Sequence, residues 1–300
     1  MHHNRDDWGW ANVGYHRKES GAPTREVQTP NIDALVRDGV ELDRHYTYQW
    51  CTPSRTALLS GRLPVHIPFG LGNVCNPGDG MPRRMTAIAS QLKKASYACH
   101  ALGKWDIGMA THDHTPSGRG FDTSLGYFDH QNDYYTLRPE TPFNTTFDHG
   151  PCPVSKRYKD LWDTNGPATG AASDMIAAGA YEEALLLDRA THIIQTHNIS
   201  APLFLYYAFH IAHAPLEVPD EWLQKFDFIT DSDTRKKYHA MVAYMDHAVG
   251  NVTAQLKQRG MWNSTLIVGS SDNGGPIFAG GGANNFPLKG GKVSRERRTP

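Results

Sequence analysis

Apolar residues along this chain follow two spacings, which together predict helices that alternate with strands. Helical spacing is clearest over residues 233–259, where a core face recurs at Met241, Tyr244, Met245, Val249, Val252 and Leu256. Continuous apolar runs at 203–208 and 265–270 are typical of buried strands. This alternation predicts an α/β fold with a mixed, largely parallel central sheet between helices, in which active groups follow the carboxyl ends of the strands.

Weaker patterns predict the remaining elements. Residues 31–40, 52–60, 85–95 and 172–198 have the spacing or end signals of helices, and 97–102 resembles a strand that ends at Gly103. Residues 111–168 are rich in Gly, Pro and Thr, and this composition predicts long loops. The sequence contains no internal repeat and no low-complexity segment.

Composition limits the classes of protein to which the chain can belong. Of its 300 residues 39% are hydrophobic and 10% aromatic, enough for one large or two smaller packed domains. The net charge of −1 provides no general attraction to nucleic acid, and no apolar stretch is long enough to span a membrane. We therefore expect neither nucleic acid nor a membrane span.

The segment Cys51-Thr52-Pro53-Ser54-Arg55 carries the most specific chemistry in the sequence. Thr52 and Pro53 suit the start of a helix, so residue 51 is predicted at a helix N-terminus, where free amides favour an anion. Arg55 lies one turn later on the same face, and its guanidinium can neutralise an oxyanion at residue 51. The alternative interpretation is a buried structural cysteine beside a helix cap.

Two polar pairs suit a hard metal ion. Asp6 and Asp7 lie near the N-terminus, and Asp272 and Asn273 follow directly on the apolar run 265–270. Carboxylate and amide oxygens favour Ca²⁺ or Mg²⁺ over zinc. Taken alone, each pair is more typical of a turn or a helix cap.

Together with the cysteine motif, these pairs resemble the type I sulfatases, the formylglycine-dependent members of the alkaline-phosphatase superfamily. The resemblance extends over nearly the whole chain and includes Gly103-Lys104-Trp105-Asp106 and the segments 206–215 and 287–292. Residues 241–253 and 284–288 are most similar to the arylsulfatase B branch, which includes the N-acetylgalactosamine 4-sulfatases. The resemblance implies a hydrolase of sulfate esters, with sulfated glycans such as glycosaminoglycans as substrates.

The resemblance also implies a role for each site residue. Cys51 is implied to be converted by the formylglycine-generating enzyme, and the hydrated aldehyde is then the nucleophile. The implied ligands of Ca²⁺, or alternatively Mg²⁺, are Asp6, Asp7, residue 51, Asp272 and Asn273. The implied catalytic residues are Cys51, Arg55 and His213. The implied substrate-binding residues are Lys104, Asp106 and Lys292.

Asp106 is a departure from the family pattern, in which the Gly-Lys-Trp element continues with a histidine. In related enzymes that histidine assists the release of sulfate from residue 51. A carboxylate adds negative charge beside the sulfate and cannot donate as an imidazolium does, so we expect slow or absent turnover that Asp106→His would raise. Two other interpretations stay open: a catalytically inactive sulfatase-like fragment, and a phosphoryl-transfer relative, against which the cysteine motif speaks.

The family also implies an incomplete molecule in the secretory pathway. Residues 1–300 would form a single N-terminal catalytic domain, with the first strand largely missing and the smaller C-terminal domain absent. A lysosomal or secreted location is expected, although residues 1–5 lack the apolar core of a signal peptide. Glycosylation sequons occur at Asn144, Asn198, Asn251 and Asn263. At most one internal disulfide, or none, is expected among Cys75, Cys99 and Cys152.

Overall fold

The computed structural model describes residues 2–67, 78–138, 159–277 and 281–293, with the backbone alone for residues 2–5. The α-helices in these ranges are α1 (Gly14–Arg17), α2 (Pro30–Arg37), α3 (Cys51–Ser60), α4 (Ile88–Lys94), α5 (Ala171–Ala177), α6 (Glu182–Thr196), α7 (Asp220–Leu223) and α8 (Asp233–Gln258). The strands are β1 (His2–Arg5), β2 (Ala98–Lys104), β3 (Thr123–Tyr127), β4 (Trp162–Asp163), β5 (Gly166–Pro167), β6 (Leu203–Ala208) and β7 (Val268–Ser271). Short 3-10 helices occur at Trp10–Asn12, Lys18–Ser20, Thr24–Glu26, Pro64–His66, His112–His114, Gln224–Phe226 and Trp262–Ser264.

The described chain divides into two compact units. The first consists of Met1–His3, Cys51–Ala208 and Leu266–Val268, and the second of Asn4–Trp50, Phe209–Thr265 and Gly269–Pro300. The fold is mixed α/β with a mostly parallel sheet, as the alternation of apolar patterns predicted.

The first unit contains a sheet with the strand order β5-β4-β3-β2-β6, and the first residues of β1 and β7 continue that order beyond β6. Strand β2 is parallel to both β3 and β6, whereas β4 is antiparallel to β3 and to β5. Five of the six residues of β6 are buried, which suits a central strand covered on both faces.

The carboxyl ends of β2, β3 and β6 lie close together, because glycine occupies two of the registered positions. Gly103 is paired with both Gly126 and Ala208. A Cβ on Gly103 would lie 1.9 Å from the carbonyl oxygen of Ala208, and its φ of 85° is one that glycine adopts readily. The segments that follow β2 and β3 therefore leave the sheet side by side.

An aromatic core lies under one face of this sheet. Phe121 stacks on Phe204 at a ring distance of 5.9 Å and meets Trp105 edge-on at the same distance. The indole nitrogen of Trp105 donates to the carbonyl oxygen of His114 at 2.7 Å, so its buried polar atom is satisfied. This packing fixes the residue between Lys104 and Asp106.

The second unit is built around α8. Ser232 caps this helix by accepting a hydrogen bond from the backbone N–H of Arg235, and the helix spans nearly the predicted residues. The buried carboxylate of Asp246 accepts from the backbone N–H groups of Asn31 and Ile32. Helix α2 thereby has its N-terminal amides satisfied by a side chain of α8.

Three element predictions were wrong. The single helix predicted over 172–198 is two helices, α5 and α6, because Gly179 follows α5 with a left-handed φ of 85° and ends it. The predicted loop region 111–168 contains β3, whose last four residues are buried. The predicted buried strand at 265–270 begins only at Val268, and Leu266 and Val268 are 76% and 41% exposed.

The structure tests two further expectations, on the first strand and on the disulfides, only in part. A strand was expected to be largely missing before Asp6, and a four-residue strand, β1, is present there. Cys99 is buried and is not in a disulfide within the described residues, whereas Cys75, Cys152 and Asn144 lie outside them. Among the described helices, none combines the length and apolar character that crossing a bilayer requires.

Candidate active site

Cys51 is the first residue of α3 and is fully buried. The prediction of a helix that starts at the cysteine motif is confirmed, and Pro53 lies in its first turn. Arg55 is likewise fully buried, and one of its terminal nitrogens donates to the backbone oxygen of Lys104 at 2.9 Å. The arginine thus links the cysteine helix to the end of β2.

Lys104 and Asp106 lie at and just beyond the end of β2, and both are buried. Asp106 Oδ1 accepts a hydrogen bond from the hydroxyl of Thr52 at 3.0 Å. Its other oxygen is 3.9 Å from Lys104 Nζ and 3.4 Å from His130 Nδ1. The carboxylate therefore stands between the cysteine helix, the lysine and a histidine.

The surroundings of Asp106 favour its charged form. Burial by itself would raise the pKa of this carboxyl, but the neighbouring imidazole of His130 lowers it through its electrostatic interaction and its hydrogen bond. The Lys104 ammonium and the Arg55 guanidinium add to this effect, and together the three groups hold the pKa of Asp106 below its usual value. Asp106 is therefore an ionised hydrogen-bond acceptor at neutral pH.

His130 was not among the site residues predicted from the sequence. It follows β3 by three residues, is 8% exposed, and has a ring nitrogen within 4.8 Å of Cys51 Sγ. The sequence signal was present but weak, since the segment Thr-Ser-Leu-Gly-Tyr before it lies in a Gly- and Thr-rich region interpreted as loop. Recognising β3 would have placed His130 next to the end of β2.

In the second unit, Asp6 and Asp7 follow β1 and are almost inaccessible to solvent. The backbone of Asp6 exchanges hydrogen bonds with Ile211 and Ala212, at 3.2 and 2.8 Å. The buried hydroxyl of Tyr238 donates to the backbone oxygen of Asp7 at 2.8 Å. Burial raises the pKa of Tyr238, so that this hydroxyl keeps its proton and remains a donor.

The structure brings both polar pairs, Asp6-Asp7 and Asp272-Asn273, together within this unit. Asn273 Nδ2 donates to Asp7 Oδ1 at 2.7 Å, and the backbone N–H of Asp7 donates to Asp272 Oδ1 at 3.4 Å. Ser271 accepts from the backbone N–H of Trp8 and donates to the backbone oxygen of Asn273. The end of β7 is therefore tied to the segment that carries the two aspartates.

Lys292 and His213 complete this cluster. Lys292 Nζ is 2.9 Å from Asp7 Oδ2 and 2.8 Å from His213 Nε2. His213 Nδ1 donates to the backbone oxygen of Ala214 at 2.7 Å, which leaves the ring lone pair on Nε2 to accept from the lysine. Lysine, histidine and aspartate thus form one hydrogen-bonded chain.

The donor set in the second unit fits a hard divalent cation. One ligand atom from each of Asp6, Asp7 and His213 lies within 4.8 Å of the other two, and Asp272 and Asn273 adjoin Asp7. Oxygen donors predominate, which suits Ca²⁺ or Mg²⁺. Asn273 offers its amide nitrogen to Asp7 here, and a half-turn about χ2 exchanges that nitrogen for the amide oxygen. A cation would supply Lewis-acid stabilisation of a nearby oxyanion.

The predicted site residues are thus distributed over the two units. The first unit holds Cys51, Arg55, Lys104 and Asp106. The second holds Asp6, Asp7, His213, Asp272, Asn273 and Lys292. The structure also adds His130 and Tyr238, which the sequence did not single out, and it gives Thr52, predicted only as part of the helix start, a hydrogen bond to Asp106.

Comparison with known proteins identifies the class. The sulfatase family model matches residues 5–297, so the chain belongs to the sulfatase family. Arylsulfatase J of Mus musculus is 34% identical over 290 residues, covering 96% of this chain and 44% of the relative. N-acetylgalactosamine-6-sulfatase of Rattus norvegicus is 30% identical over 300 residues, covering 96% and 52%.

A solved structure shares the fold. Ps i-CgsB, solved in complex with k-i-k-neocarrahexaose, superposes with a TM-score of 0.81 at 31% identity, covering 97% of this chain and 61% of that one. The chain spans about half the length of the curated relatives it matches. The comparisons therefore establish the family and the alkaline-phosphatase-like fold.

Proposed function

We propose that this chain is the catalytic part of a metal-dependent sulfatase that hydrolyses sulfate esters. The observation that carries the proposal is the hydrogen bond from Arg55 to the backbone of Lys104, because it joins two motifs of the family in one buried cluster. Cys51 is the proposed source of a formylglycine, made by the formylglycine-generating enzyme, whose hydrate supplies the nucleophile.

The first unit would bind the sulfate and support residue 51. Arg55 stabilises negative charge on the oxygen of residue 51, since its guanidinium is buried and always protonated. Lys104 binds a sulfate oxygen through its ammonium group. Asp106, ionised and hydrogen-bonded to Thr52, contributes a carboxylate to the same pocket.

The second unit would hold the cation and assist the leaving group. The proposed ligands are Asp6, Asp7, Asp272 and Asn273, to which the family resemblance adds residue 51. The Lys292 ammonium, 2.8 Å from His213 Nε2, can pass a proton to that nitrogen, and His213 is the proposed proton donor from there to the leaving oxygen. Lys292 also provides positive charge for the sulfate. We propose Ca²⁺ as the cation, with Mg²⁺ as the alternative.

The proposed substrates are sulfated glycans, including glycosaminoglycans, in the lysosome or outside the cell. Support comes from the similarity to N-acetylgalactosamine-6-sulfatase and to Ps i-CgsB, which was solved in complex with k-i-k-neocarrahexaose. The arylsulfatase B branch suggested by residues 241–253 belongs to this proposal.

Expression in secretory-pathway cells tests the proposal directly. Mass spectrometry of the peptide containing residue 51 should find the aldehyde, and the purified protein should hydrolyse a chromogenic aryl sulfate faster than the matching aryl phosphate. Cys51→Ala is the control, because it cannot form the aldehyde. An aldehyde with no sulfatase turnover, or faster phosphate hydrolysis, would contradict the proposal.

A second candidate is a catalytically inactive sulfatase-like protein. Asp106 favours it, because a carboxylate stands where the family has an imidazole. Calorimetric binding of a sulfated oligosaccharide by a protein that retains an unmodified cysteine at residue 51 and shows no turnover would establish this alternative.

A further inference from the structure

We propose that His130 is the histidine that assists release of sulfate from residue 51, and that Asp106 is its positioning residue. The inference rests on the proposed sulfatase function and deepens it. It assigns to one residue pair the role that the family gives to the histidine of the Gly-Lys-Trp element. In this chain the imidazole would come from the segment after β3 instead of the segment after β2.

Geometry carries the assignment. A ring nitrogen of His130 lies within 4.8 Å of Cys51 Sγ, and both residues are buried. His130 Nδ1 is 3.4 Å from Asp106 Oδ2, a long hydrogen bond between an imidazole and a carboxylate. A histidine whose Nδ1–H faces a carboxylate has its ring lone pair on Nε2, the arrangement that suits a proton acceptor.

Asp106 is itself held in place from two sides. Its Oδ1 accepts from the hydroxyl of Thr52, the neighbour of Cys51, and Lys104 Nζ is 3.9 Å from Oδ2. The carboxylate thus connects the ring of His130 to the start of α3 through two hydrogen bonds. An aspartate at residue 106 can accept a hydrogen bond from His130 and hold its ring in place. A histidine at residue 106 would remove that carboxylate and its support.

The assigned step is a proton transfer coupled to loss of sulfate. His130 takes the proton from the remaining hydroxyl on the side-chain carbon of residue 51. The electron pair of that O–H bond forms the C=O bond, and the C–O bond to sulfate breaks. Sulfate leaves with the bonding pair, the aldehyde is restored, and the imidazolium returns its proton to water.

The first experiment compares His130→Gln with the wild type and with His100→Gln, a matched control in the first half of β2, away from the end that carries Lys104. All three should carry the aldehyde before substrate is added. His130→Gln should lower kcat by about 10²-fold or more, the usual contribution of acid–base catalysis. After exposure to aryl sulfate, its residue-51 peptide should retain covalently bound sulfate, which the other two proteins should not.

The outcomes separate the two proposals. An aldehyde and sulfatase turnover in the wild type, with unchanged kcat and no retained sulfate in His130→Gln, would overturn the role of His130 and leave the sulfatase proposal intact. A wild type that lacks the aldehyde or the turnover would defeat the sulfatase proposal and, with it, the catalytic step assigned to His130. Asp106→His should lower activity, opposite to the expectation from sequence alone, and higher activity would overturn the positioning role of Asp106.

A second measurement needs no activity. Histidine ¹⁵N NMR of the unconverted protein, with His130 assigned by loss of its signal in His130→Gln, should show the Nδ1–H tautomer. Asp106→Asn should weaken that preference, because an amide offers a donor as well as an acceptor. An Nε2–H tautomer in the wild type would overturn the proposed pair.

Discussion

Asp7 and Lys292 form an ion pair whose two side chains are almost inaccessible. Lys292 Nζ is 2.8 Å from Asp7 Oδ1, and the residues are 2% and 6% exposed. Removing one member of a buried pair leaves the other charge without compensation, which costs about 3–5 kcal/mol. The pair therefore makes the proposed metal cluster sensitive to single substitutions.

Asp7→Ala should accordingly lower the free energy of unfolding by about 3–5 kcal/mol, measured by urea unfolding in a chelator. The double variant Asp7→Ala/Lys292→Met should lose less than Asp7→Ala alone, because no buried ammonium remains. The loss of unfolding free energy in the double variant could instead equal the sum of the losses in Asp7→Ala and Lys292→Met. The two side chains would then be uncoupled, which would contradict a stabilising ion pair.

Asp160 gives the molecule a pH-dependent stability. Its carboxylate accepts from the backbone N–H groups of Phe128 and Asp129, at 3.0 and 2.7 Å. Burial, and then the charge of Asp129, raises the pKa of Asp160 to about 7. Between the unfolded pKa of about 3.9 and this value, the folded protein holds a proton that the unfolded chain has lost.

Stability should therefore fall as the pH rises from about 4 to 7, by at most about 1.4 kcal/mol per unit from this group. Asp160→Asn keeps an acceptor oxygen but cannot ionise, so its unfolding free energy should fall less over this window. Urea unfolding at pH 5 and pH 7 measures the difference. Asp188→Asn, an exposed substitution on α6, is the control. Equal slopes in all three proteins would refute the assignment.

Among elements, β2 decides how the first half of the site is formed. Its glycine, Gly103, allows the strand to approach β6, and the strand then delivers Lys104 at its end. The same contact that packs the sheet therefore sets the position of a proposed sulfate-binding side chain.

Gly103→Ala should destabilise the protein by about 1–2 kcal/mol for its left-handed backbone and about 1–3 kcal/mol more for the overlap with Ala208. Gly61→Ala is the matched control, since Gly61 has a φ of 66° and open space around its Cβ position. Thermal unfolding of both variants separates strain from overlap. A Gly103→Ala protein as stable as Gly61→Ala would contradict the proposed close approach.

Elements with strong local apolar patterns could be predicted from the sequence. Elements that depend on tertiary packing against a neighbour could not. Helix α8 and strand β6 have unmistakable apolar periods and were predicted almost to the residue. Strand β3 was missed because Thr, Ser and Gly dominate it, and its burial comes from its neighbour β2. The break at Gly179 was missed because periodicity continues through it.

At the scale of the whole molecule, β7 is the last strand in the sheet order, and apolar side chains at its first residue and just before it are exposed to solvent. Leu266 lies just before it and Val268 is its first residue. Within the described residues no strand pairs with its outer edge. An exposed edge with apolar residues favours association with other chains.

Leu266→Lys should therefore reduce self-association of this chain, measured by sedimentation velocity over a range of concentrations. Leu63→Lys is the control, because Leu63 is 69% exposed and lies outside the sheet. Equal effects of both variants would attribute any change to added charge and would contradict a role for the sheet edge.

The sequence predicted which residues carry the chemistry of the site better than it predicted the contacts between them. Motif spacing identified Cys51 and Arg55 as neighbours, because one turn of helix separates them. His130 and Tyr238 depend on tertiary contacts with Asp106 and Asp7, which no local pattern encodes. The sequence showed that residue 106 is an aspartate where the family has a histidine, but it did not show that His130 is the partner of this aspartate.

The complete burial of Cys51 has a consequence for the order of events during synthesis. An enzyme that modifies this side chain must reach it while the chain is still extended, before His130, whose ring lies within 4.8 Å of the sulfur in the folded protein, has emerged. At ordinary elongation rates that interval lasts on the order of seconds. Translation speed downstream of residue 51 would then govern what fraction of molecules mature, and a slower stretch of codons there would increase the yield.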